Sequence, residues 1–265
     1  MTEDHRLGGL DGGVSPMARP VDENIRAKSD QEAKSLLPSS DHYSAYVGPP
    51  EHYDFMGATQ FSLLCSLGMR EHHRVLDFGC GSLRAGRLLI PYLSAGNYYG
   101  VEPNAWLIED GIGRQLGTGI LDVKRPTFSH SEGFEADVFG VEFDFIVAQS
   151  IFSHSGPMLT ARALASFARA LKPDGLCTVT FREGDEDTPE GWFYTGQTRR
   201  GTVRYRRALI EALIEEAGLK GAALPWYHPR QTWWLIGREL PPPEQLALLR
   251  GVVLRSDDLQ ASIEP

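Results

Sequence analysis

Apolar positions recur with two different periods along this chain, and each change of period marks an element. In GATQFSLLCSLGM, beginning at Gly57, residues Phe61, Leu64, Cys65 and Gly68 fall at helical spacing, with Gly68 placed to end the helix. RVLDFGCG (74–81) is instead a short unbroken apolar run entering a glycine turn, the pattern of a strand covered on both faces. SLRAGRLLIPYL (82–93) predicts a helix beginning at once, which Pro91 bends or ends. YYGVEP (98–103) predicts a second strand, NAWLIEDGI (104–112) a helix, and PTFSHSEGF (126–134) a weakly marked third strand with its turn. FDFIVAQS (143–150) is the strongest strand. After it, Ala163, Leu164, Phe167, Ala168 and Leu171 form an amphipathic helix, closed by the turn KPDG (172–175), and LCTVTF (176–181) is a further strand. RYRRALIEALIEEAG (204–218) predicts a helix ending at glycine; ALPWY (223–227) and TWWLIG (232–237) predict a hairpin around HPRQ.

Alternation of strand and helix from about 70 to 181 predicts a mostly parallel α/β sheet with helices on both faces. Right-handed crossovers then bring the C-terminal strand ends to one edge, where ligands of such sheets bind. Residues 1–45 are rich in Gly, Pro, Ser, Asp and Glu without periodicity and are expected to be a flexible leader, with Tyr43, Tyr46 and Tyr53 able to close over a site as a lid. The domain is expected over 46–240, followed by a C-terminal tail over 241–265 that starts with a proline break.

Composition narrows the function classes. The 265 residues hold 26 Lys+Arg and 35 Asp+Glu, a net charge of −9, which argues against charge-driven binding of nucleic acid. No apolar run reaches the ~18 residues of a membrane span, and the acidic, glycine-rich start is unlike a secretory signal, so a cytoplasmic protein is expected. Cys65, Cys80 and Cys177 lie far apart, with no C-x-x-C pair and no implied metal site.

The candidate chemistry starts at Asp77-Phe78-Gly79-Cys80-Gly81-Ser82. Glycines there permit a tight turn and close approach of a ligand to the backbone. Glu102 ends the next strand, 23 residues after Gly79, where an acid can accept hydrogen bonds from ribose hydroxyls. Either glycine alone could be purely structural. A dinucleotide fingerprint would need glycine at position 84, but Arg84 stands there, which weakens a nicotinamide-dinucleotide oxidoreductase. Asp77 would repel a diphosphate and accept from an ammonium, which S-adenosylmethionine carries together with a ribose.

VLDFGCGSLRAGRLL, then YYGVEP, FDFIVAQSIFSH and LKPDG, resemble the class I S-adenosylmethionine-dependent methyltransferase family over about residues 57–237. The resemblance implies a Rossmann-like seven-stranded sheet of order 3-2-1-4-5-7-6 in which only the last strand is antiparallel. It implies that Asp77, Gly79 and Gly81 line the methionine end of S-adenosyl-L-methionine and that Glu102 holds the ribose, with Cys80 and Pro103 also in the cofactor site. Glu132 and Phe134 would lie near the adenine, and Gln149 and Ser150 would border the cofactor. Many members have a small residue where this chain has Leu83 and Arg84. Arg84 is then either a partner of the cofactor carboxylate or a surface helix arginine.

An oxygen acceptor usually needs its proton removed, and His154, after the fourth strand, is the candidate general base; the alternative is that it starts or caps the following helix. Tyr46, Trp192, His228 and Arg230 are candidates to hold the acceptor, with Phe193 and Tyr194 beside Trp192 lining the same pocket or packing in the core. Arg199, Arg200, Arg204, Arg206 and Arg207 form a local positive run that either meets an anionic acceptor, meets RNA with Tyr205 stacking, or is a solvated loop. The leading expectation is methyl transfer to a hydroxyl, rather than an amine, of a small molecule such as a sugar or natural-product intermediate. A catalytically inactive cofactor-binding scaffold and an RNA methyltransferase remain the alternatives, and a homodimer is left open.

Overall fold

A computed structural model of the chain describes residues 20–193 and 202–249. Residues 1–19 of the expected leader, Tyr194, Arg199 and Arg200, and residues 250–265 of the expected tail lie outside the described residues.

The seven strands are β1 (Val75–Phe78), β2 (Tyr98–Val101), β3 (Thr127–Ser129), β4 (Phe143–Ala148), β5 (Leu171–Phe181), β6 (Lys220–Leu224) and β7 (Thr232–Gly237). They form one sheet of order β3-β2-β1-β4-β5-β7-β6, in which β7 alone runs antiparallel to its neighbours. The order and the single reversal are those the resemblance implied. Helices α1 (Glu23–Arg26), α2 (Asp30–Ala33), α3 (Tyr43–Tyr46) and α4 (Tyr53–Ser66) precede the sheet. Between strands come α5 (Gly86–Tyr92), α6 (Ala105–Gly111), α7 (Ile120–Lys124), α8 (Pro157–Ala170) and α9 (Arg207–Glu216), and α10 (Pro243–Leu246) follows β7.

Both faces of the sheet are buried, because successive strand residues point to opposite sides. Adjacent Trp233 and Trp234 of β7 show this: Trp233 joins Leu63, Leu89 and Tyr98 on one face, and Trp234 joins Phe152, Phe167 and Phe181 on the other.

Four elements differ from the sequence pattern. First, the expected helix over 82–93 begins only at Gly86, because Leu83 is buried with φ +60 and residues 82–85 form a turn. Left-handed backbone at a side chain costs energy that the surrounding packing must supply. Second, KPDG does not end before the fifth strand but interrupts its ladder: Leu171 pairs with Phe143, and pairing resumes at Leu176 with Phe145. Third, β6 lies three residues earlier than expected, at 220–224, since Pro225 lacks the N–H a ladder needs. Fourth, residues 20–46, mostly within the expected leader, are structured. Arg26 of α1 donates to Asp110 at 2.9 Å and to Glu109 at 3.2 Å on α6, and all four residues of α3 are buried.

Candidate functional site

At the C-terminal edge of the parallel strands, β1 runs into the turn Gly79-Cys80-Gly81. Gly79 and Gly81 have φ of +77° and +52°, and a Cβ on them would sit 2.1 Å from Ile151 and 2.6 Å from Val47. Only glycine fits both the backbone and the space. Above this turn lies a cavity of about 350 Å³, within the range of small-molecule sites.

One end of the cavity is acidic. Asp77 is 4% exposed, and its carboxylate accepts from the Tyr98 hydroxyl at 3.0 Å. Burial pushes its pKa up to about 7, opposed by the hydrogen bond from Tyr98 and the charge of Arg84. Glu102 is 7% exposed and is held in place by Gly81 N–H at 3.1 Å and by the Asn104 backbone and side-chain amides, both at 2.9 Å. Burial raises its pKa as well, while these donors lower it. Three donors on four lone-pair positions leave Glu102 room for one more, such as a sugar hydroxyl. Pro103, Ser131, Glu132 and Phe134 continue this wall.

The other end is built after β4 and β5 and before β7. His154 lines it, with its ring 6.0 Å from that of Trp192, which in turn stands edge-on to Phe134 at 5.6 Å. His154 does not cap α8, whose N-cap is Gly156. Arg182, the first residue after β5, and Arg230 and Gln231, just before β7, also line the cavity, and Arg182 hydrogen-bonds the Thr202 hydroxyl.

The cavity thus brings together Tyr46, Asp77, Gly79, Cys80, Gly81, Arg84, Glu102, Pro103, Glu132, Phe134, Gln149, Ser150, His154, Trp192 and Arg230, all singled out from the sequence. Arg84 points inward and donates to the Val47 carbonyl at 2.6 Å, so it is not a surface helix arginine. His228 is the exception. It stands behind Gln149 and does not reach the cavity wall.

His228 Nδ1 accepts from the backbone N–H groups of Arg230 at 3.2 Å and Gln231 at 3.0 Å. Burial and the charges of Arg84 and Arg230 push its pKa down to about 3, so the ring is neutral and Nε2 carries the hydrogen. Two donors cannot bond each other, so across the 3.2 Å contact Gln149 must present its amide oxygen. That orientation gives a partner to an amide oxygen otherwise buried without one, and leaves the NH2 group as the end open to a ligand.

Two further expectations change. Tyr43 and Tyr53 do not line the cavity: the Tyr53 hydroxyl donates to the Ser82 carbonyl at 2.8 Å, and the Ser82 hydroxyl donates to the Tyr43 carbonyl at 2.7 Å. Both brace the glycine turn from behind. Tyr205 cannot stack on RNA bases, because it is fully buried and its hydroxyl donates to the Ser155 carbonyl at 2.6 Å. In the described part of the arginine run, Arg204, Arg206 and Arg207 pair with Glu186, Asp187 and Glu183 at 3.6, 2.7 and 3.1 Å. Sequence reasoning missed Val47, Arg182 and Gln231; for the last two the available signal was position, directly flanking strands on the ligand edge.

Residues 76–177 match a family model described as a methyltransferase domain. The match covers 102 of the 265 residues, from β1 into β5. The chain's fold is shared with magnesium protoporphyrin IX methyltransferase of Synechocystis with bound S-adenosylmethionine, at 13% identity and TM-score 0.51, over 72% of this chain and 81% of that one. An S-adenosylmethionine-dependent methyltransferase of Clostridium acetobutylicum gives 12% identity and TM-score 0.52 over 69% and 92%. Mitomycin 7-O-methyltransferase gives 16% and 0.50 over 72% and 58%. The fold is therefore the one these methyltransferases share, and the cavity lies on the edge of the sheet where ligands of such folds bind. No helix among the described residues is long and apolar enough to cross a membrane.

Proposed function

We propose that the protein transfers the methyl group of S-adenosylmethionine to a hydroxyl of a small molecule. The observation that carries this reading is a single cavity holding a glycine cradle flanked by two buried acids at one end and a histidine at the other. The acids suit the cofactor's ammonium and ribose, and a diphosphate would meet two carboxylates instead of donors. When bound, S-adenosylmethionine supplies a methyl already electrophilic on its sulfonium.

The chain is left to align the acceptor, exclude water and receive a proton. Asp77 holds the ammonium, Glu102 a ribose hydroxyl, and Glu132 with Phe134 the adenine. Arg84 takes the cofactor carboxylate. His154 accepts the acceptor's hydroxyl proton, beside Trp192, which packs against the acceptor. Tyr46 and Val47 close the cavity from the N-terminal side. One fold neighbour, mitomycin 7-O-methyltransferase, bears a name that agrees with an oxygen acceptor. The ion-paired arginines and buried Tyr205 favour a small molecule over RNA.

Calorimetry with S-adenosylmethionine, S-adenosylhomocysteine and NAD tests the cofactor: the first two bind and NAD does not. His154→Ala then lowers kcat by about 100-fold with cofactor affinity unchanged. Turnover within a few-fold of wild type refutes the base assignment.

A further inference from the structure

Apart from Arg84, which stands with the acids and is assigned to the cofactor carboxylate, the charges lining the cavity are sorted by strand. Asp77 lies in β1, Glu102 directly after β2 and Glu132 in the loop after β3, on one half of the sheet. Arg182 and Arg230 belong to the junctions of β5 and β7 on the other half, held side by side because Phe181 pairs with Thr232. The acids near this second end are already engaged: Glu186 with Arg204 at 3.6 Å, and Glu183 with Arg207 at 3.1 Å and with the Trp234 indole at 3.3 Å. Among the described residues, Arg182 and Arg230 have no carboxylate partner. Burial, together with the positive charges of Arg204 and Arg230, lowers the pKa of Arg182. Glu186 opposes this, but it is already paired with Arg204, so cations gathered at the wall of a cavity with no carboxylate of their own are a cost the fold bears for a ligand that supplies one.

We propose that the methyl acceptor carries an anionic group, a carboxylate or a phosphate, that docks on Arg182 and Arg230, with its body against Trp192. Guanidinium forks match the planar geometry of either group. Gln231 and Thr202, also on the wall, supply neutral polar contacts beside the two charges. The inference rests on the methyltransferase reading and adds the acceptor's charge to it.

The test titrates the full chain, first with S-adenosylhomocysteine and then, so loaded, with benzoate, phenyl phosphate and neutral benzamide. At least one anion is expected to bind about tenfold or more tighter than benzamide. Whichever anion is stronger identifies carboxylate or phosphate as the source. The preference disappears in R182Q/R230Q, while R182K/R230K keeps part of it and R206Q all of it. R230Q alone, at an exposed side chain, reports the same trend should the double variant fold poorly. Equal binding of anions and benzamide, no saturable binding of either anion, or an unchanged preference in R182Q/R230Q overturns the proposal. Cofactor binding is read first, so its absence counts against the methyltransferase reading, and the anion comparison counts against this one alone.

Discussion

Replacing Asp77 by asparagine should stabilise the empty protein and weaken the site. Asp77 is buried with one hydrogen bond, from Tyr98, and its pKa rises from the ordinary 3.8 to about 7. A raised carboxyl pKa means that the folded state holds a proton the unfolded state has released. The associated stability is complete below about pH 4 and is lost as pH rises to about 7. A gap of roughly three pH units at ~1.4 kcal/mol each makes the loss roughly 4 kcal/mol. The amide of D77N keeps the shape and an oxygen for Tyr98 without a charge to bury, so the variant escapes the loss. His228, held near 3, acts oppositely: its contribution is present above about pH 6.5 and falls as pH drops toward 3. Subtracting variant from wild type at each pH therefore isolates Asp77. Urea unfolding without ligand should show D77N gaining on wild type by about 3 kcal/mol between pH 5 and pH 8, the part of the loss that falls in that window. S-adenosylhomocysteine should bind D77N about 10- to 100-fold more weakly at pH 8. Wild-type affinity should fall below pH 7, as Asp77 takes up a proton, while that of D77N stays flat. Parallel pH profiles of unfolding, or a D77N less stable than wild type at pH 8, would refute the reasoning.

Gly79→Ala drives a methyl to within 2.1 Å of Ile151 at φ +77°, so unfolding should show a loss of about 1–3 kcal/mol and calorimetry a weakened cofactor. His228→Ala removes the donor to Gln149 and the acceptor of two backbone N–H groups. Calorimetry should show cofactor Kd rising; an unchanged Kd would show that His228 does not act on the site through Gln149.

The strands that make the site were readable because they are apolar runs ending at a glycine turn or an acid. VLDFGCG and YYGVEP placed Asp77, Gly79 and Glu102 on one edge before any coordinates, and a sheet buried on both faces leaves no other reading of FDFIVA and TWWLIG. What stayed hidden depends on contacts between distant segments. SLRAG has helical propensity, yet packing holds Leu83 left-handed, and tertiary structure prevails over local preference. α1 to α3 have four residues each, too short to show a period, and are held by pairs such as Arg26 with Asp110 rather than by an apolar stripe. The arginine run looked like a binding feature because its acidic partners, Glu183, Glu186 and Asp187, lie some twenty residues earlier. His228 was recognised as special, but nothing local to it shows that it faces Gln149, 79 residues away.

The bonds behind the glycine turn fix where the smallest working unit can begin. A version trimmed to start at residue 46, where the sheet domain looks set to begin, would lack the Tyr43 carbonyl that receives the Ser82 hydroxyl, along with Ser44 and Ala45 of α3. Ser82 and the cradle it anchors would lose their outer wall. The stretch from Asp22 onward is therefore packed into the body that holds the cradle, and a cut inside it should loosen the cradle.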